Sequence, residues 1–154
     1  MTRISTTATL TDGAGPAFRA LRVSSAEGEP QRDALLGVLV EVVPEHRAAA
    51  DLAELADRAA QRGFRLGYEA LAWGRYVKDW MQAYELVCLA DRPNLGIVLD
   101  SFHICANKNP IAPLADIPAS RIGLVQLSDA PGILMDPMSL SRHHRCFPGQ
   151  GDHP

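Results

Sequence analysis

Cysteine is scarce in this chain: Cys88, Cys105 and Cys146 are its only three, and no two form a CxxC pair. An odd, scattered set argues against a disulfide framework or a zinc knuckle and points to reduced thiols in a cytoplasmic setting. Long apolar runs are missing as well, and nothing approaches the roughly 18–20 residues that a membrane-crossing helix needs. The opening stretch, MTRISTTATLTDGAGPAF, lacks the continuous apolar core of a secretory signal. Cationic excess is also absent. With 15 Lys+Arg against 18 Asp+Glu the net charge is −3, which weighs against a broad electrostatic hold on nucleic acid or anionic lipid. What remains is 154 residues, 47% hydrophobic and 21% charged, the balance of one soluble globular domain.

Residues 1–33 stand apart. They are rich in Thr, Ser, Gly, Glu and Arg, show no sustained apolar period, and read as a loosely ordered arm. From Leu35 to Val43 a short apolar run reads as a buried strand that stops at Pro44, although periodicity alone leaves a helical turn open. Arg47–Arg62 is Ala-rich, with Leu52, Leu55, Ala56 and Ala59 on one helical face and Gly63 as the stop. A strand over Phe64–Glu69 follows, then a helix from about Val77 to Ala90, broken by Arg92-Pro93-Asn94. Leu95–Asp100 and Arg121–Leu127 complete the strands, joined by a Pro-punctuated connection with at most a short helix near Leu114. A helical turn is expected near Pro137–Arg142. Alternation of this kind means consecutive βα units on a parallel sheet.

The chemistry gathers where the strands finish. Glu69, Asp100 and Gln126 each lie at or one residue before a strand's carboxyl end, and in parallel α/β folds those ends converge on one face. Two carboxylates and an amide oxygen suit a hard divalent cation such as Mg2+, Mn2+ or Co2+. The alternative, that these groups merely cap strands and begin loops, stands beside it. His103, read as lying in the loop after Asp100, would shuttle protons beside a metal; elsewhere it is a surface or packing residue. Ser141–Asp152 crowds Arg142, His143, His144 and Arg145 before a PGQGD turn. That pattern is either an anion clamp or a solvated basic loop. Cys146 has no evident acid–base partner.

Four strings together carry a resemblance: YEALAWGR at 68–75, LDSFH at 99–103, VQLSDAP at 125–131 and RHHRCFPGQGD at 142–152. Over roughly Ala49 to Pro154 the chain resembles the 3-dehydroshikimate dehydratases, members of the xylose-isomerase-like, sugar phosphate isomerase/epimerase TIM-barrel superfamily. The resemblance implies a partial (β/α)8 barrel of about four βα units over 34–154. It implies Glu69, Asp100 and Gln126 as metal ligands, His103 as catalytic acid/base, and Arg145, with His144 and Tyr68, against the substrate. It further implies a divalent cation and a small-molecule substrate, 3-dehydroshikimate, which loses water to give protocatechuate in aromatic catabolism. A hydroxypyruvate isomerase-like activity is the enzymatic alternative, and an inactive metal-binding or interaction half-barrel is the alternative of another class. A complete barrel takes about 200–250 residues. The family's fourth ligand, a Glu, lies on a strand beyond the PGQGD loop, and residues 1–46 do not match its first strands. The expectation is therefore a truncated or frame-shifted copy, with little or no activity alone and open sheet edges prone to self-association.

Overall fold

The computed structural model describes residues 3–10, 18–24, 35–38 and 45–153, with side chains from residue 47 onward. The Ala-rich stretch folds as α1, Glu45–Ala60, because Ala48, Leu52, Ala56 and Ala59 recur at helical spacing and all bury on one side. Gly63 follows at φ 73°, a left-handed conformation that glycine adopts without strain. β4, Leu66–Glu69, is fully buried. Helix α2 begins at Trp80 and runs to Ala90, later than the Val77 expected from pattern. The reason is local: the Asp79 carboxylate accepts from the Gln82 backbone N–H and the Gln82 side chain returns to the Asp79 backbone, a reciprocal cap that sets the first turn. Trp80 is tied down by its indole N–H, which donates to the Pro110 carbonyl at 2.9 Å.

β5, Leu95–Asp100, occupies its expected bounds and is buried throughout, as strands covered on both faces are. Helix α3, Ser101–Ala106, starts without an intervening loop, in place of the loop expected there. Asp100 is its N-cap, the carboxylate accepting from Phe102 N–H at 2.9 Å, so one residue ends the strand and begins the helix. Two short 3-10 turns, Ala112–Asp116 and Ala119–Arg121, lead into β6, Ile122–Gln126, and α4 spans Pro137–His143.

Upstream, β3 covers Leu35–Val38; residues 39–43 of the expected strand lie outside the described residues. The arm expected over 1–33 contains two described strands, β1 at Arg3–Leu10 and β2 at Phe18–Ser24, which its lack of an apolar period does not indicate. Between them they carry Thr6, Thr7 and Thr9 with Ile4, Phe18 and Val23, residues that suit an extended backbone.

The sheet order is β1-β2-β3-β4-β5-β6. β1, β2 and β3 pair antiparallel, while β3, β4, β5 and β6 are parallel. The four parallel strands and their helices form a partial barrel wall. Side-chain alternation divides it cleanly. Leu66, Tyr68, Leu95, Ile97 and Leu99 point into one hydrophobic cluster with Leu52, Ala56, Trp80, Leu86 and Val87 of the helices. Glu69 and Asp100 take the opposite parity and face the concave side. Between β5 and β6 the register slips, Ile97 pairing Ile122 and Val98 pairing Leu124. Gly96 permits that approach, since a Cβ there would lie 2.6 Å from the Arg121 carbonyl oxygen. β6 is the sheet's last strand among the described residues, with Val125 and Leu127 53% and 69% exposed.

Candidate functional site

Three strand ends converge as their parity requires. Asp100 pairs in register with Gln126, and Glu69 with Val98, so Glu69, Asp100 and Gln126 share the concave face. Because Asp100 is both the end of β5 and the cap of α3, the next helical turn returns His103 to the same place. One ligand atom each from Glu69, Asp100 and His103 lies within 4.8 Å of the others. His103 Nε2 is 3.8 Å from both Glu69 Oε1 and Asp100 Oδ2. All three residues are buried, His103 to 4% exposure, so the loop placement expected for it is corrected.

The ring of His103 is fixed on every side. Its Nδ1 accepts the Ala72 backbone N–H at 3.2 Å, and Trp73 and Phe102 pack edge-on against it. Both ring nitrogens face an N–H donor, Ala72 at Nδ1 and Arg145 at Nε2, so in either neutral tautomer only one of the two contacts is a hydrogen bond. The Ala72 bond corresponds to the proton on Nε2, facing the carboxylates. Burial pushes the imidazole down to about 4, with the nearby Asp100 charge acting in the opposite sense and Arg145 reinforcing the fall. Burial likewise pushes the Glu69 carboxyl up to about 7, helped by Asp100 and opposed by Arg145. Both groups thus favour their neutral forms.

Arg145 closes the site from the loop after α4. Its Nη1 donates to Asp100 Oδ2 at 2.6 Å and to Ser128 Oγ at 3.2 Å, while Nε and Nη2 donate to Ser141 Oγ at 3.0 and 2.8 Å. Nη2 also lies 3.3 Å from His103 Nε2, and the guanidinium sits 4.5 Å over the Phe102 ring. Ser101 Oγ and Ser128 brace the floor through a reciprocal pair, donating at 2.7 Å and accepting at 2.9 Å. Ser101 and Ser128 lie inside the LDSFH and VQLSDAP strings and Ser141 opens the basic stretch, but single serines carry no spacing signal that marks these contacts.

The remaining expectations divide. Gln126 is half-buried and aligned with the site by its register with Asp100. Tyr68 is not brought there: its side chain has the opposite parity and lies in the cluster beneath α1 and α2. His144 is exposed, its ring beside that of His143, and its backbone N–H donates to the Leu140 carbonyl. The two clustered carboxylates in a buried pocket, with Gln126 in register beside Asp100, fit a divalent cation. Such an ion would also offset the like-charge pressure that raises Glu69.

Comparison with known proteins agrees with this fold. The family model "Xylose isomerase-like TIM barrel" matches residues 30–154, so the likeness begins upstream of Ala49 and takes in β3. A 3-dehydroshikimate dehydratase of Pseudomonas aeruginosa is 55% identical over 103 residues, 67% of this chain and 16% of that protein. The Pseudomonas putida dehydratase is 51% identical over 102 residues, 66% of this chain and again 16% of the relative. An inosose isomerase of Bacillus subtilis is 33% identical over 101 residues, covering 65% of this chain and 36% of its own length. This chain therefore spans about one-sixth of the dehydratases it matches. Among solved structures, a xylose isomerase-like TIM barrel/4-hydroxyphenylpyruvate dioxygenase fusion protein aligns at TM-score 0.72 and 45% identity, over 76% of this chain and 20% of that one. The zinc-bound IOLI protein aligns at TM-score 0.64 and 28% identity, over 77% of this chain and 45% of that one. Matched by the family model over most of its length, with the fold to correspond, the chain belongs to the xylose isomerase-like TIM barrel family.

Proposed function

We propose that this chain carries the catalytic floor of a divalent-metal-dependent 3-dehydroshikimate dehydratase, a hydro-lyase of aromatic catabolism. The observation that carries the reading is the buried Glu69–Asp100–His103 cluster with the Arg145 guanidinium laid over it. The identity to two dehydratases supports the substrate, and the zinc in a related structure supports the metal.

Glu69 and Asp100 would hold the cation, with Gln126 aligned beside Asp100 as a further oxygen donor. When bound, the cation supplies Lewis-acid polarisation of substrate carbonyl and hydroxyl oxygens; Mg2+, Mn2+ and Co2+ all suit oxygen ligands. Arg145 binds the substrate carboxylate. Its planar fork matches a carboxylate bidentately, and an incoming carboxylate competes with Asp100 for the same guanidinium edge. In the tautomer that keeps the Ala72 bond, His103 presents Nε2–H to the pocket and donates to a substrate oxygen. Accepting a proton there would first require Nδ1–H to face the Ala72 N–H, donor against donor.

The test is turnover and metal binding by the purified chain. Protocatechuate absorbance from 3-dehydroshikimate with Mn2+ or Mg2+ reports the reaction, and Mn2+ titration reports the site. The expected result is Mn2+ binding that Asp100→Asn and Glu69→Gln each abolish, with any turnover lost alongside. Mn2+ binding indifferent to both substitutions refutes the reading. The inosose isomerase likeness favours isomerisation as a second reading, in which the ketone is interconverted and no aromatic product absorbs. The family domain we take to begin at residue 30, where the match begins, with the residues before it as a segment outside that domain. A cytoplasmic location accords with the reduced thiols. Self-association is expected through the open, apolar β6 edge, and nucleic acid is not an expected partner at net charge −3.

A further inference from the structure

Beyond the cluster and Arg145, the structure holds a fully bonded, buried carboxylate that the mechanism does not use. Asp129, 4% exposed, follows β6 and accepts backbone N–H groups from four residues. Oδ1 takes Ala130 at 2.7 Å and His153 at 3.0 Å, and Oδ2 takes Gly149 at 3.1 Å and Gly151 at 2.9 Å. Three of those donors belong to the loop that follows Arg145. The backbone of Asp129 adds a two-way bridge to Cys146, its N–H donating at 3.0 Å and its carbonyl accepting at 2.9 Å. Cys146 is the residue next to Arg145. The loop's glycines fit this role: Gly149 adopts φ 81°, and a Cβ on Gly151 would collide with Asp129 Oδ1 and stand 2.5 Å from the Ala130 carbonyl oxygen. These backbone donors also hold the Asp129 carboxyl below the usual carboxylate range, that of Gly151 foremost.

We propose that Asp129 is the positioning residue for Arg145: its carboxylate clips the 144–153 loop to the end of β6 and thereby sets the guanidinium against Asp100 and His103. Helix α4 and Ser141 hold Arg145 from one side only. Without the Asp129 carboxylate that side keeps only the backbone bridge at Cys146 and the bonds of Asp152 to Ala130 and Gly132. Gly149, Gly151 and His153 lose their acceptor, so the loop carrying the guanidinium loosens against Asp100. The consequence for substrate binding rests on the proposed function; the positioning itself does not.

The test reads Arg145 directly in the full chain. Modification by phenylglyoxal, followed peptide by peptide by mass spectrometry, reports each guanidinium separately, and amide exchange reports the loop. In Asp129→Asn the amide NH2 replaces one acceptor oxygen and sets donors against donors. Arg145 should then react about 10-fold faster, the scale of losing one charge-assisted hydrogen bond, and exchange at Gly149, Gly151 or His153 should accelerate. Arg65 and Arg121, held by the Ser120 and Arg92 carbonyls away from the loop, should be unchanged. Arg145 as slow as in the unsubstituted chain overturns the proposal. Should Asp129→Asn accelerate all the arginines together, Gly151→Ala decides, because it spoils the same clip while keeping the carboxylate. A selective rise at Arg145 supports the proposal there, and an unchanged or uniform rise overturns it. No substrate or metal enters these measurements, so their outcome is independent of success or failure in the dehydratase assay.

Discussion

Replacing Glu69 by Gln should stabilise the cation-free chain, and by an amount that depends on pH. The Glu69 carboxyl rises from 4.5 to about 7 on folding, chiefly because burial disfavours its charge. At 1.36 kcal/mol per pH unit, that shift is worth roughly 3 kcal/mol between the two protonation states. Since the folded value is the higher one, the contribution to stability is fully present below pH 4.5 and is lost as pH rises through about 7. His103 has the opposite sign: depressed from 6.5 to about 4, its contribution is present above pH 6.5 and lost as pH falls through about 4. Between those limits the two slopes oppose, and the unsubstituted chain should show little net pH dependence from the pair. Glu69→Gln removes the first slope and leaves the second. Urea unfolding in chelator at pH 4.5 and pH 8, followed by tryptophan fluorescence, is the assay. The substituted chain should gain up to about 3 kcal/mol relative to the original at pH 8 and almost nothing at pH 4.5. A difference equal at both values refutes the claim that buried charge at Glu69 opposes folding. Mn2+ reverses the balance, because a cation must displace the Glu69 proton below pH 7. Its affinity should fall about tenfold for each unit below that point and level off above it.

Other perturbations follow from single contacts. Arg145→Ala removes the cation 2.6 Å from Asp100 and should tighten Mn2+ binding in titration while weakening the binding of protocatechuate. Leu52→Ala empties a site 1% exposed beneath the sheet and should cost about 2–5 kcal/mol in urea unfolding. Asp79→Ala removes the α2 cap and should cost about 1 kcal/mol, read as a lower thermal midpoint with the site chemistry unchanged.

Much of the fold is legible in the sequence because it depends on local periodicity. Leu95–Asp100 is apolar throughout and forms a strand at those bounds, and Leu52, Ala56 and Ala59 share one face as their spacing requires. The convergence of Glu69, Asp100 and Gln126 follows from one rule, that parallel strands end on one face. Local pattern fails where a residue serves two elements. Asp100 ends β5 and caps α3 at once, so the turn that carries His103 into the pocket reads as loop. Tyr68 adjoins Glu69 in the chain, but strand alternation sends it to the opposite side of the sheet.

The amino-acid sequence by itself determined the strand and helix alternation, the carboxylates at strand ends and the family likeness. All of these reside in residue order, which short-range physics reads without the fold. Only the tertiary structure decided that His103 rather than His144 joins the carboxylates, that Arg145 lies on Asp100, and that Asp129 holds Arg145's loop. His103 meets Glu69 from a different βα unit, Arg145 is 45 positions from Asp100, and Asp129 reaches up to 24 positions along the chain to His153. Contacts over such distances are set by how the sheet's face and the following loops pack, which no local pattern encodes.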